Sequence, residues 1–276
     1  MEFTKNQIQR LKEIGCSYDP DLSFSSSEER EQAFKDMERR CVDDNRKSLL
    51  ELKAGGAAPS VNALSESISA FLRGLGFLEV STPIIISRNF LERMSIEDTH
   101  ALFKQVFWLD DKTCLRPMLA PNLYDISKRL LNVFERPLSV FEIGPCFRKE
   151  SQGNKHLEGF TMVNFVEWGI EESKKVDRFK ELASLFMNHL GLNGYTLQEK
   201  DSVVYGDTID VMMDDVEIAS GAFGPHPLDI NWDYEGTWLG LGAGLERIAM
   251  MKEGLDTIQK AGRSLVYLGG VSLKLN

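Results

Sequence analysis

From Trp238 to Arg247 the chain reads Trp-Leu-Gly-Leu-Gly-Ala-Gly-Leu-Glu-Arg, and glycine at every second position there constrains the fold more than any other feature. Side chains alternate faces along a strand, so Gly240, Gly242 and Gly244 leave one face bare, and a flat ligand or a second backbone can approach it closely. The helix that follows carries Arg247 into the same space. Alone, such a run also reads as a bulged strand end. Phe147-Arg148-Lys149-Glu150, which closes an apolar stretch about a hundred residues earlier, weighs against that alternative.

A chain of 276 residues buries a sizeable core and fits one large domain with a small appendage. It contains no apolar run long enough to span a bilayer, and Met1-Glu2-Phe3-Thr4-Lys5 lacks the order of a secretion signal, so a cytoplasmic protein without membrane contact is expected. The four cysteines, Cys16, Cys41, Cys114 and Cys146, are scattered without a Cys-x-x-Cys. They read as reduced thiols, with neither a zinc site nor a disulfide framework. A net charge of −10 argues against general affinity for nucleic acid. Any RNA contact then requires Lys and Arg gathered on one face and recognition led by shape.

The first 55 residues are the most charged. Asn6 to Ile14 and Glu28 to Leu52 read as helices, the second preceded by the capping residues Ser25-Ser26-Ser27 and ended by the linker Ala54-Gly55-Gly56-Ala57-Ala58-Pro59. Arg30, Lys35, Arg39, Arg40, Arg46 and Lys47 interleave with acids on the second helix, which suits either a solvated face or an RNA-contacting arm. Beyond the linker, Ser60 caps a predicted helix to Gly74, and Phe77 to Ile86 is a strand broken by Pro83. Leu102 to Trp108 and Thr113 to Met118 flank Asp110-Asp111 as a hairpin, and a helix opens at Pro121. Strands follow at Leu138 to Arg148, Phe160 to Trp168, Val203 to Met212 and Val216 to Phe223, with a helix from Val176 to Leu190. Hairpins interrupted by helices predict an α+β fold, an antiparallel β-sheet flanked by helices.

Several residues stand out for chemistry. On Phe160 to Val166, period two places Phe160, Met162, Asn164 and Val166 on one face, and a buried Asn amide needs a partner in the backbone or in a ligand. Ala120, Leu123, Tyr124 and Ser127 form one helical stripe, either core packing or the border of a cavity. If the strand runs through them, Arg148 and Glu150 share a face, where the guanidinium suits a phosphate and the carboxylate an adenine amino group. Glu217 and Ser220 suit magnesium, although alternation puts them on opposite faces unless a bulge intervenes. A Walker A loop and a Rossmann glycine pattern are absent.

With those residues placed, the Gly240 to Arg247 and Phe147 to Glu150 segments resemble motifs 3 and 2 of class II aminoacyl-tRNA synthetases. Phe71 to Pro83 resembles motif 1, their dimer interface. Leu115 to Tyr124, Phe141 to Ser151, Phe160 to Asn164 and Val204 to Thr208 carry a closer resemblance, to the pyrrolysyl-tRNA synthetase family, in a short form without the separate N-terminal tRNA-binding domain. The resemblance implies a class II catalytic core at 60–276 and a helical tRNA-contacting region at 1–55. It implies a ligase that activates pyrrolysine, a long Nε-acylated lysine, with ATP and Mg2+ and charges a pyrrolysine-specific tRNA of the suppressor type, working as a homodimer.

By the same resemblance Arg148 and Arg247 grip the ATP phosphates as catalytic residues. Glu150, His156, Phe160 and Gly242 complete the nucleotide site, and Glu217 and Ser220 hold magnesium. Ala120, Leu123, Tyr124, Ser127, Val166, Ala222 and Trp238 line the amino-acid pocket, Asn164 bonds the substrate's side-chain amide, and Tyr205 folds over as a lid. Ser127, Gly159 and Phe223 depart from the family pattern, Ser127 enlarging or polarising the pocket and Phe223 filling space near it.

Overall fold

The structure, a computed structural model, describes residues 1–56, 58–149 and 157–276. Thr4 opens α1 (Lys5–Glu13) through a capping box with Gln7, and Ser26 caps α2 (Ser27–Gly55), which ends at Gly56 in the left-handed conformation. Pro59, which gives no side-chain cap, precedes α3 (Ser60–Gly74), so Ser60 is the first helical residue and not its cap. The strand expected from Phe77 to Ile86 is two short ones, β1 (Leu78–Glu79) and β2 (Ile85–Ser87), because Pro83 between them has no N–H to donate. After α4 (Arg88–Glu92) the expected hairpin reduces to a 3₁₀ helix, Ala101–Gln105, and β3 (Thr113–Leu115), which pairs with β2. Only an isolated bridge from Trp108 to Cys114 remains of that hairpin.

Next come α5 (Ala120–Leu130), β4 (Leu138–Phe147), β5 (Gly159–Trp168), α6 (Lys175–Leu190), β6 (Thr196–Ser202), β7 (Gly206–Met213) and β8 (Val216–Gly224). A 3₁₀ helix, Pro227–Trp232, leads to β9 (Trp238–Gly244), and α7 (Leu245–Glu253), α8 (Ile258–Ala261), β10 (Tyr267–Leu268) and β11 (Val271–Ser272) finish the chain. Seven strands form one sheet in the order β1-β4-β5-β9-β8-β7-β6, antiparallel throughout except for β1 beside β4. This is an α+β fold, with the helices set against an antiparallel sheet.

Alternation along β5 and β9 decides what each sheet face does. Val163, Phe165, Leu239, Leu241 and Ala243 enter a core with Ile68 and Leu72 of α3, Phe179 and Phe186 of α6, and Ile248 of α7. The opposite face carries Phe160, Met162, Asn164 and Val166 beside the bare Gly244, Gly242 and Gly240, in the register Met162 to Gly244, Asn164 to Gly242 and Val166 to Gly240. The core thus fixes the sheet from one side while the other stays open for a site.

The N-terminal helices have a small core of their own, Phe3, Leu11, Ile14, Phe24 and Val42, on which Leu275 packs. The Ser272 hydroxyl donates to the Glu13 carbonyl at 2.7 Å, and Lys274 pairs with Glu13 at 3.3 Å, so the end of the chain returns to α1. The expectation of four reduced thiols is corrected here: Cys16, just after α1, and Cys41 on α2 form a disulfide with Cα atoms 5.7 Å apart, while Cys114 and Cys146 are free and buried. A separation of 25 residues carries no local motif, and the pair meets only because the end of α1 lies against α2. No helix among the described residues is long and apolar enough to cross a membrane.

Candidate active site

The open sheet face, α5, the β6–β7 turn and the start of α7 enclose a cavity of about 620 Å3. Its floor is β9. A Cβ built on Gly242 meets nothing closer than 3.6 Å, and one on Gly244 meets nothing within 4 Å; neither residue has positive φ. The protein's own packing therefore does not demand these glycines, and the space they keep clear belongs to whatever enters the cavity.

Arginines stand on two sides of that floor. Arg148 follows β4, its backbone N–H donating to the Glu158 carbonyl at 2.9 Å and its Nε to the Pro117 carbonyl at 2.8 Å, with the guanidinium 5.5 Å from the centre of the Phe160 ring. Arg247, in the first turn of α7, donates from Nη1 to the Glu217 carbonyl at 2.7 Å and lies 3.5 Å from its carboxylate. Glu150 and His156 lie outside the described residues.

Glu217 and Ser220 both line the cavity. The register on β7 jumps between Val211, opposite Ala219, and Met212, opposite Glu217, so Ile218 is an extra residue. This is the bulge that lets both residues face one side. The Ser220 hydroxyl donates to Asp210 at 2.6 Å. No group of three or more His, Cys, Asp or Glu among the described residues is placed to hold a metal alone. One carboxylate and one hydroxyl suit a magnesium ion that fills its other positions with water and phosphate.

Ala120, Leu123, Tyr124, Asn164, Val166, Tyr205, Ala222 and Trp238 also line the cavity. Ser127 does not; it is buried behind that wall. Phe223 does not line the cavity: the strand's alternation puts it on the far face of β8, its ring 5.1 Å from Phe179 of α6, so the space it fills is in the core and not beside the pocket as expected. Gly159 opens β5, where a Cβ would touch Phe147 at 3.4 Å.

Three supports are given no role by the sequence reading. Asp229 accepts from the Tyr124 hydroxyl at 2.8 Å, from the Trp238 indole at 3.0 Å and from the His226 backbone at 2.7 Å, tying two pocket walls together. Burial, with the charge of Asp229 nearby, pushes the Tyr124 hydroxyl far above the usual phenol range. Arg116, only 1% exposed, pairs with Glu142 at 2.7 Å and donates to the Pro145 carbonyl at 2.8 Å. A Cβ on Gly144 would lie 2.1 Å from its guanidinium, so that glycine is required. Through the adjoining Pro117 carbonyl this buried pair sets the backbone that holds Arg148. Glu246 accepts from the Thr161 N–H at 2.9 and 2.8 Å, joining α7 to β5, and burial raises its carboxyl. A charged residue inside the apolar run Leu115 to Met118 was the one available hint of Arg116.

A bare glycine strand between two arginines, on the open face of an antiparallel sheet, defines a class of enzyme. The chain belongs to the class II aminoacyl-tRNA synthetases: the family model "tRNA synthetases class II core domain (F)" matches residues 47–266. The crystal structure of pyrrolysyl-tRNA synthetase from Desulfitobacterium hafniense superposes with a TM-score of 0.92 at 43% identity, covering 100% of this chain and 99% of that one. A second structure, of the D. hafniense pyrrolysyl-tRNA synthetase PylSc, gives 0.88 at 43% over 99% and 95%. Such likeness over the whole chain puts it in the pyrrolysyl-tRNA synthetase branch of the class. The histidine–tRNA ligase of Wolbachia pipientis wMel is 27% identical over 136 residues, 49% of this chain and 33% of that protein, so the match spans about a third of that relative.

Proposed function

We propose that the enzyme activates a long Nε-acylated lysine, pyrrolysine, with ATP and transfers it to the 3′ end of a pyrrolysine-specific tRNA in the cytoplasm. The observation that carries this reading is the clear space over Gly242 and Gly244 between Arg148 and Arg247, beside a deep and mainly apolar pocket. In the first step a carboxylate oxygen of the amino acid attacks the α-phosphorus of ATP and pyrophosphate leaves. Negative charge grows on phosphate oxygens, and Arg148 and Arg247 stabilise it by their placement and positive charge, without a side-chain base. Phe160 stacks on adenine, with Glu150 and His156 completing the nucleotide site. Magnesium held by Glu217 and Ser220 would neutralise further phosphate charge, and Asp210 orients Ser220 for that purpose.

In the second step the terminal ribose hydroxyl of tRNA attacks the acyl carbon, its proton is lost, and AMP leaves. Ala120, Leu123, Tyr124, Val166, Ala222 and Trp238 hold the acyl-lysine chain, Ser127 backs them, Asn164 bonds its amide and Tyr205 covers it. Arg39 and Arg40 on α2 are exposed without an ion pair among the described residues, which favours 1–55 as the tRNA-contacting region beside a catalytic unit at 60–276. Exposed Leu75, Leu78, Ile84 and Ile85, all in or beside motif 1, support a homodimer.

ATP–pyrophosphate exchange across the twenty standard amino acids, pyrrolysine and several Nε-acyl-lysines tests activation and specificity together. Exchange with the long acyl-lysines alone is expected. Exchange driven by a standard amino acid would reassign the pocket, and none at all would remove the catalytic reading.

A further inference from the structure

Two of the protein's four histidines make the same uncommon pair of contacts. His100 precedes the 3₁₀ helix Ala101–Gln105, where its Nδ1 accepts from the Leu102 N–H at 3.1 Å and its Nε2 lies 2.9 Å from the Val203 carbonyl. His226 precedes the 3₁₀ helix Pro227–Trp232, where its Nδ1 accepts from the Leu228 N–H at 3.1 Å and its Nε2 lies 3.0 Å from the Tyr205 carbonyl. A backbone N–H can only donate, so each Nδ1 is unprotonated and each Nε2 carries the hydrogen that the carbonyl accepts. The residues caught between them are Val203, Val204 and Tyr205, the turn from β6 to β7 that closes one side of the cavity. Ser202, the last residue of β6, adds to this, its hydroxyl accepting from the Val204 and Tyr205 N–H groups at 3.2 and 3.3 Å.

The supports reach opposite parts of the site. Gln105, at the end of the first 3₁₀ helix, accepts the Lys149 N–H at 2.6 Å, next to Arg148. Asp229 in the second holds Tyr124 and Trp238, and the Tyr205 ring packs edge-on to Trp238 with centres 6.0 Å apart. The turn is itself strongly exposed at Val203. We propose that His100 and His226 are positioning residues that clamp this turn over the amino-acid pocket from its two sides. The inference rests on the acyl-lysine reading of that pocket.

The geometry separates two jobs of each ring. Asn supplies an oxygen where Nδ1 sits and is a favoured N-cap, but its amide is too short to reach the turn; Gln supplies an N–H where Nε2 sits and caps poorly. His100→Asn and His226→Asn should each raise the amino-acid KM in pyrophosphate exchange about fivefold, and more together, with the ATP KM within about twofold and thermal stability unchanged. The Gln variants should return the amino-acid KM toward wild type while melting earlier. Hydrogen exchange at Val204 and Tyr205 should accelerate in the Asn double variant, a readout needing no substrate. If Asn and Gln act alike, or exchange in the turn is unaltered, the clamp is overturned. Wild-type protein inactive with every acyl-lysine would sink the pocket assignment instead, and hydrogen exchange would still decide the clamp.

Discussion

Gly242 is a glycine that the fold does not require, which makes it a direct test of the proposed nucleotide site. Its φ is ordinary, and an added Cβ meets the Met162 methyl and the Asn164 amide at 3.6 and 3.7 Å, normal contact distances. Gly242→Ala should therefore melt within about 1 kcal/mol of wild type, since strand glycine is weakly unfavourable to begin with. The methyl group would occupy the floor between the arginines, so ATP affinity should fall at least tenfold. Isothermal titration with a non-hydrolysable ATP analogue measures this; unchanged affinity would place the nucleotide elsewhere. This glycine was legible in sequence because period two alone assigns its face. Asp229 and Arg116 were not, because their partners are far along the chain: 105 residues separate Asp229 from Tyr124, and 26 separate Arg116 from Glu142.

At the scale of elements, legibility followed amphipathic pattern. β5 and β9, each with one apolar face, could be assigned face by face from the sequence. β6 could not, since Thr196–Ser202 buries neither face and offers no alternation to read. The pairing of Cys16 with Cys41 was equally invisible, being a consequence of how two helices meet. The disulfide ties the end of α1 to the middle of α2, and closing a loop of that size is worth about 2–4 kcal/mol. The remaining thiols behave differently. Burial pushes Cys114 up to about 11 and Cys146 up to about 12, so both hold their protons below pH 10 and stay unreactive as pH rises through 7 to 9. Native protein without reductant should take up no iodoacetamide at pH 8. After mild reduction two labels should appear, at Cys16 and Cys41, and complete unfolding should release all four. Peptide mass mapping reads the pattern, and labelling of Cys16 before reduction would disprove the bond.

For the whole molecule, the question is what covers the edge of the sheet at β1. Leu75, Leu78, Ile84 and Ile85 are 38%, 39%, 41% and 55% exposed and close together in sequence, Leu78 on the edge strand β1 and Ile85 on β2, which pairs with β3 outside the large sheet. Isolated apolar residues on a surface are ordinary, but several gathered beside an edge strand suit contact with another chain. The segment they flank is not independent of the site. The Thr82 hydroxyl donates to Glu142 at 2.6 Å, and Arg116 donates to that same hydroxyl oxygen at 3.0 Å, so the exposed stretch is bonded to the pair that sets Arg148. A second copy docking here would restrict Thr82, then Arg116, then Arg148. Ile85→Asp removes none of those side-chain hydrogen bonds, since the Ile85 side chain is exposed, and it places a charge at the proposed contact. Light scattering should then give the mass of one chain in place of two, and pyrophosphate exchange should weaken as protein is diluted. An unchanged mass would show that these residues do not join two chains, whereas a monomer with undiminished exchange would show that Arg148 is fully ordered within a single chain.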